Sequence, residues 1–244
     1  MAAIAIIGGT GLTELEGLKI QDKKTVETPY GEPSSPLMMG KFAGKKVVFL
    51  PRHGEGHKLP PHQINYRANI HALKSVGVSD VIAVNAVGSI NPMMKAEALV
   101  VPHQIVDYTW GREFTFSEAG KVIHVDFTYP YHEPIRQGLL KAAKASEITV
   151  HNGAVYGATQ GPRLETAAEI DRLEQDGCDL VGMTGMPEAG LAREAELNYA
   201  CLSLVVNMAA GRSDGIITME EIEQALVNGM ANVRTLLSAY LKAL

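Results

Sequence analysis

The stretch Ile4-Ala-Ile-Ile-Gly-Gly-Thr-Gly-Leu12 decides the fold, because an apolar run of strand length ends there in glycines and a threonine. Four further apolar runs have strand length: Val47–Leu50, Val81–Val84, Leu99–Val106 and Cys201–Val206. Stretches with helical periodicity lie between several of them. This alternation predicts an α/β fold. No linker, repeat or shift in composition divides the 244 residues, so we expect one domain over residues 1–244.

The sequence predicts where two helices begin. Thr166-Ala-Ala-Glu169 and Thr218-Met-Glu-Glu221 are capping-box sequences, in which a hydroxyl and a carboxylate satisfy free backbone amides reciprocally. After the second box, one helix face carries four apolar residues: Ile222, Leu226, Val233 and Leu237. The chain is therefore predicted to close with an amphipathic helix packed on the core.

Composition excludes several classes of protein. With 22 basic and 27 acidic residues the formal charge is −5, and 46% hydrophobic with 20% charged residues is typical of a globular chain. No basic run exceeds two residues, which argues against nucleic-acid binding. No apolar run reaches the roughly 18 residues of a membrane span, and the N-terminus does not resemble a signal peptide. We expect a soluble, cytoplasmic protein without disulfides, since Cys178 and Cys201 form no CxxC pair.

The glycine turn after the first strand is a candidate anion site. Backbone amides exposed in such a turn can cradle an anion, and the Thr10 hydroxyl adds a donor. The third glycine of a dinucleotide-binding fingerprint is missing, and Gly40-Lys-Phe-Ala-Gly-Lys-Lys46 fails the spacing of a nucleotide-binding P-loop. A purely structural tight turn remains the alternative.

Pro51-Arg-His-Gly-Glu-Gly-His57 follows a predicted strand and is a second candidate. His53, His57 and His62 have no nearby cysteine or carboxylate to complete a zinc site, so we expect no metal. Arg52 beside His53 favours an anion instead, because a guanidinium fork matches phosphate oxygens. An ordinary surface loop is the alternative.

Two more strand ends are rich in small residues. Val84-Asn-Ala-Val-Gly-Ser89 would let a ligand approach backbone amides, and Gly182-Met-Thr-Gly-Met-Pro-Glu-Ala-Gly190 places Thr184 just before a helix that Pro187 opens. A plain helix N-cap explains Thr184 equally well. No Gly-x-Ser-x-Gly motif occurs, so nucleophilic acyl chemistry has little support.

Taken in order, five motifs resemble the methylthioadenosine phosphorylase branch of the trimeric purine nucleoside phosphorylases. They are GGTGL, RHG with a histidine three residues on, NAVGSINP, TQGPRLET and GMTGMPEAGLAREAEL, and the resemblance runs from about Ile4 to Gly215. It implies a single α/β domain with a central mixed sheet flanked by helices, a homotrimer, no metal or other cofactor, and orthophosphate as co-substrate.

The resemblance also assigns residues to roles. The implied phosphate site comprises Thr10, Arg52, His53, Asn85, Ala86 and Thr184. The implied nucleoside site comprises Leu164, Met183, the purine segment Asn207-Met208-Ala209, and His124 lent by a neighbouring subunit. Met219 is a further candidate contact near the 5′ substituent, with a buried residue at a helix start as the alternative. Asn207, Arg52 and His53 are the candidate catalytic residues.

The purine segment departs from the adenine-specific pattern. Those members carry Asp-x-Asp, whereas this chain has Asn207 and Ala209. A departing 6-oxopurine protonated at N7 shows one donor and one acceptor, which suit a carboxamide. All eight histidines lie at or before His151, and Gly215–Met219 is largely apolar, which favours a 5′-methylthio group over a hydroxyl.

We therefore expect phosphorolysis of S-methyl-5′-thioinosine to hypoxanthine and 5-methylthioribose 1-phosphate. The alternatives are methylthioadenosine as substrate, since Asn also pairs with neutral adenine, and 6-oxopurine nucleosides such as inosine and guanosine. A nucleoside-binding protein without turnover is the alternative from a different class.

Overall fold

The computed structural model of the protein describes residues 3–12 and 15–244. These residues form eleven strands: β1 (Ala3–Gly8), β2 (Lys19–Lys24), β3 (Leu37–Phe42), β4 (Lys45–Pro51), β5 (Val78–Ser89), β6 (Leu99–Val101), β7 (Gln104–Asp107), β8 (Val150–Asn152), β9 (Val155–Ala158), β10 (Leu180–Gly182) and β11 (Asn198–Met208). They also form five α-helices: α1 (Tyr66–Ser75), α2 (Glu133–Ala145), α3 (Ala167–Gln175), α4 (Gly185–Glu194) and α5 (Met219–Lys242).

All of these strands join one mixed sheet, as expected, and β5 organises it. Along one edge β5 pairs in parallel with β11, from Asp80 to Ser89. Along the other edge it pairs first with parallel β1, as far as Ala83, and then with antiparallel β10 at Gly88 and Ser89. Strands β1 and β10 thus leave a gap beside residues 84–87 of β5, and a crevice of this kind is where α/β sheets commonly bind ligands.

Helices cover both faces of the sheet because the strands alternate. Ile4 and Ile6 of β1 pack in the cluster that includes α2 and α5, whereas Ala5 and Ile7 pack in the cluster with α1 and α4. Both predicted capping boxes are present, at the starts of α3 and α5. The four apolar residues predicted on the last helix are all buried, which confirms the packed amphipathic helix.

Four of the five predicted strands are confirmed, each somewhat longer than its apolar run. The prediction of one strand over Leu99–Val106 is wrong. Pro102 has no N–H to continue a ladder, and the chain there changes partners: β6 pairs with β11 and β8, whereas β7 pairs with β9. In the part of the chain that the structure describes, no helix combines the length and apolar character that crossing a bilayer requires.

Candidate active site

A cavity of about 490 Å³ opens at the gap between β1 and β10. The carboxyl ends of β1, β4, β5 and β10 converge there. Residues assigned above to phosphate all line it: Thr10, Arg52, His53, Asn85, Ala86 and Thr184. Five of the residues assigned to the nucleoside line it as well: Leu164, Met183, Asn207, Ala209 and Met219. Segments far apart in the chain are therefore brought together as the ordered motifs require.

The glycine turn after β1 is tight for a steric reason. A Cβ on Gly9 would lie 2.5 Å from the Val84 carbonyl oxygen and 2.9 Å from Arg52 Nη1. Only glycine lets this turn approach both β5 and the guanidinium so closely. The turn is thus structurally constrained and also lines the cavity beside Thr10.

Arg52 is completely buried and paired with a carboxylate that sequence reasoning did not assign. Its Nε and Nη2 donate to the two oxygens of Glu188 at 2.6 and 2.8 Å, and Nη1 donates to the Val84 carbonyl at 3.1 Å. Tyr199 donates its hydroxyl to Glu188 at 2.8 Å. Burial alone would lower the pKa of Arg52, but attraction to Glu188 outweighs it and raises that pKa.

This pairing decides which part of the fork remains for a ligand. The edge formed by Nε and Nη2 is occupied by Glu188. Each Nη of a guanidinium carries two hydrogens, so one hydrogen on Nη1 and one on Nη2 have no partner among residues 3–12 and 15–244. A second anion can therefore bind Arg52 only through its Nη edge. The sequence alone did not indicate which edge of the guanidinium is available to a ligand.

His53 is held as a neutral ring. Its Nδ1 lies 2.8 Å from the Leu59 carbonyl oxygen, which can only accept, so Nδ1 carries the proton. Burial, followed by repulsion from Arg52, lowers the pKa of His53 to about 4. Its Nε2 is therefore an acceptor at neutral pH. The ring centroids of His53 and His57 lie 4.2 Å apart.

Thr184 does not use its side chain to cap α4. The helix has no side-chain cap, and Met186 has non-helical dihedral angles, so regular helix begins at Pro187. The Thr184 hydroxyl instead accepts a hydrogen bond from Asn85 Nδ2 at 2.8 Å. Thr184 thus occupies the N-cap position of α4 but caps no amide with its side chain, and the residue lines the cavity.

On the nucleoside side, Asn207 lines the cavity with its carboxamide partly committed. Its Nδ2 donates to the Met208 carbonyl at 2.8 Å, which leaves Oδ1 and one Nδ2 hydrogen. The structure does not bring the Met208 side chain to the cavity, because strand alternation directs it away from Asn207. His124 is exposed and outside the cavity of its own chain.

Sequence reasoning missed Glu165, which lines the cavity next to Leu164. Its Oε1 accepts from the Thr159 hydroxyl at 2.6 Å. The signal was present in the motif TQGPRLET, where an acidic residue directly follows the assigned leucine. His57 and Lys58 also line the cavity and were not assigned.

Arg112, likewise unassigned, supports the wall of the cavity from behind. Its buried guanidinium donates to the carbonyls of Met183 and Met186 at 2.8 and 2.7 Å, and to those of Thr159 and Gln160 at 3.2 and 2.8 Å. It therefore ties the loop that precedes Leu164 to the end of β10. No local sequence pattern marks such a role.

No three His, Cys, Asp or Glu side chains are grouped to hold a metal ion anywhere in residues 3–12 and 15–244.

The buried pair gives a stability prediction. Replacing Glu188 by Gln leaves Arg52 charged and uncompensated in the interior, so we expect the free energy of unfolding to fall by about 3 kcal/mol, measured by urea denaturation. Glu169→Gln is the matched control, because Glu169 also holds an arginine by both oxygens, but at the exposed surface. Equal losses in the two variants would contradict a special cost at Arg52.

Comparison with known proteins identifies the family of the chain. The sequence profile of the phosphorylase superfamily matches residues 3–242. The chain is 57% identical over 245 residues to a probable S-methyl-5′-thioinosine phosphorylase of Pseudomonas syringae pv. tomato, with 100% of both chains covered. It is 43% identical to a probable 6-oxopurine nucleoside phosphorylase of Thermococcus kodakarensis, covering 97% of this chain and 91% of the relative.

Among solved structures, methylthioadenosine phosphorylase from Schistosoma mansoni in complex with adenine superposes with a TM-score of 0.94. It is 34% identical, and the match covers 98% of this chain and 91% of that chain. From the matched profile and these identities, the chain belongs to the phosphorylase superfamily.

Proposed function

We propose that the protein cleaves S-methyl-5′-thioinosine with orthophosphate, giving hypoxanthine and 5-methylthioribose 1-phosphate. The observation that carries this is the Asn207 carboxamide in the cavity, with Ala209 beside it in place of a second carboxylate. The Pseudomonas syringae relative, 57% identical, is named for the same substrate. Residues 1–244 act as one phosphorylase domain, and phosphate is a co-substrate with no other cofactor.

The hydrogen-bonding groups suit a 6-oxopurine. The uncommitted Oδ1 of Asn207 accepts from a purine N7–H, and its remaining Nδ2 hydrogen donates to O6. Glu165 adds an acceptor on the same cavity. A 6-oxopurine carries a proton on N1 that a carboxylate accepts, whereas adenine N1 is itself an acceptor and is repelled by one.

The 5′ end of the nucleoside meets apolar residues. Ile217, Met219 and Ile222 line the cavity at the start of α5. Burying a sugar hydroxyl against them without a partner is costly, whereas a methylthio group gains from contact. We assign this surface to the 5′-methylthio group.

Catalysis is positioning and charge stabilisation. Phosphate held by Thr10, the Nη edge of Arg52 and Thr184 attacks C1′ from one face as the C1′–N9 bond breaks, so its negative charge stabilises a cationic sugar. Neutral His53 accepts from the phosphate hydroxyl through Nε2. The purine leaves from the other face and takes up a proton from solvent at N7, and Asn207 Oδ1 accepts the resulting N7–H. The phosphate gives up its own proton to solvent as the C1′–O bond forms, so one proton passes in net from phosphate to the base. No covalent enzyme intermediate forms.

Methylthioadenosine is the second candidate substrate. The TM-score of 0.94 to the Schistosoma mansoni enzyme favours it, and an asparagine can pair with neutral adenine through N6 and N7. The 43% identity to a 6-oxopurine nucleoside phosphorylase similarly favours inosine or guanosine as further substrates. We rank these below methylthioinosine because of Asn207, Glu165 and the apolar 5′ surface.

We also propose a homotrimer in the cytoplasm. The segment around His124 exposes large apolar side chains: Trp110 at 72%, Phe114 at 66% and Tyr129 at 72%. A neighbouring copy that covers them brings His124 toward the next cavity. Two buried free thiols, Cys178 and Cys201, suit a reducing compartment.

Light scattering tests the assembly: a mass of three chains would support the trimer, and a monomer at micromolar concentration would reject it.

The proposed reaction is tested by initial rates on methylthioinosine, methylthioadenosine and inosine at saturating phosphate, with a phosphate-free control. We expect methylthioinosine to lead by tenfold or more, about 1.4 kcal/mol of transition-state discrimination. A lead for methylthioadenosine would contradict the carboxamide reasoning. A lead for inosine would contradict the apolar 5′ surface, and base release without phosphate would exclude phosphorolysis.

Specificity should follow the purine segment. In Asn207→Asp with Ala209→Asp, an acceptor-only pair replaces the carboxamide, so we expect kcat/KM for methylthioadenosine relative to methylthioinosine to rise about tenfold or more. Asn152→Asp is the control, since it makes the same change at an exposed residue that accepts from Arg136. An unchanged ratio in the double variant would mean that specificity is set elsewhere.

A further inference from the structure

Behind the proposed phosphate site, the Asn85 carboxamide contacts two buried side chains, and a third buried side chain contacts one of those two. Cys201 Sγ lies 3.1 Å from Asn85 Oδ1, and Asn85 Nδ2 lies 2.8 Å from Thr184 Oγ1. Ser203 Oγ lies 3.3 Å from Cys201 Sγ. Asn85, Cys201 and Ser203 are at most 1% exposed, so these contacts are shielded from water.

The thiol fixes which way the carboxamide points. Burial raises the pKa of Cys201 to about 12, so Sγ keeps its proton at neutral pH. Asn85 Oδ1 can only accept, and it takes that proton. Rotating the amide by half a turn would place Nδ2 against the sulfur and replace the S–H···O hydrogen bond by an N–H···S contact, in which sulfur is only a weak acceptor. With Oδ1 on Cys201, Nδ2 faces Thr184.

This orientation sets the direction of the next hydrogen bond. Thr184 Oγ1 accepts from Asn85, and its hydroxyl makes no cap bond to α4. Its own hydrogen can therefore turn either to the buried Tyr156 hydroxyl or into the cavity. In the rotated amide, Oδ1 would instead take that hydrogen, and the hydroxyl would present only a lone pair to an anion. One amide orientation therefore attracts phosphate, and the other repels it.

We propose that Cys201 is a positioning residue that, through Asn85, keeps the Thr184 hydroxyl as a hydrogen-bond donor to phosphate. This rests on the proposed function for the identity of the anion. Asn85 then acts by orienting Thr184 as well as by lining the site. Ser203 completes the chain of donors by supplying its hydroxyl to the sulfur.

The test is calorimetric titration of inorganic phosphate into the full chain. We expect Cys201→Ala to weaken phosphate binding about five- to tenfold, the loss of one hydrogen bond. The conservative Cys201→Ser retains a donor and should stay within about twofold of the unmodified protein. Cys178→Ala, at the other buried free cysteine, is the control for lost volume and should leave phosphate binding unchanged.

A double-mutant cycle shows whether the effect passes through Thr184. If it does, Cys201→Ala has no further effect on phosphate affinity in a Thr184→Val background. Additive losses would overturn the proposal, as would unchanged affinity in Cys201→Ala or failure of Cys201→Ser to restore it. In parallel turnover assays, we expect the KM for phosphate to rise in Cys201→Ala while the KM for the nucleoside stays within twofold.

The binding and turnover measurements separate this proposal from the reaction itself. Coupled phosphate binding without phosphorolysis of methylthioinosine would support the role of Cys201 and reject the proposed function. Phosphorolysis with phosphate affinity insensitive to Cys201 would do the reverse. A protein that binds no phosphate would overturn both.

Discussion

A buried arginine held by both oxygens of a buried glutamate lies where the strands converge, and the cavity is arranged around it. Arg52 and Glu188 are each fully shielded from solvent. Removing such charges from water is costly and is offset only by good geometry and additional hydrogen bonds. Val84 and Tyr199 supply those bonds. The glycine turn after β1 can come close to the guanidinium only because Gly9 has no side chain.

The topology of β5 explains why a cavity forms at this place. One edge of β5 pairs with β11 along most of its length. The other edge pairs first with β1 and then with β10, and the residues of β5 between these two strands have no strand partner on that edge. The Val84 carbonyl in that gap binds Arg52, and Asn85 in the same gap binds Thr184. The segment of β5 that has no strand partner on this edge thus supports the charged group and the polar wall together.

Local sequence patterns predicted the strands and helices better than they predicted which distant side chains contact each other. Strand-length runs, capping boxes and the last helix face are periodic or short-range features, and all but one of the predicted strands, both capping boxes and the helix face are confirmed. Glu188 is 136 positions from Arg52, and Arg112 donates to backbone carbonyls of two other segments, residues 159–160 and 183–186. No spacing rule links such residues, because only the folded sheet brings them together. The prediction of a single strand over Leu99–Val106 is wrong for a related reason, because the two halves of this run pair with different strands.

In the proposed reaction, purine specificity depends on the Asn207 carboxamide. One of its hydrogens is bound to the Met208 carbonyl, and the proposal assigns its oxygen and its other hydrogen to the purine. The most direct test is a crystal structure with phosphate and hypoxanthine bound. The account predicts phosphate within hydrogen-bonding distance of Thr10, Thr184 and the Nη edge of Arg52, and the N7 of hypoxanthine facing Asn207. An anion bound away from Arg52, or a base with N7 turned from Asn207, would contradict it.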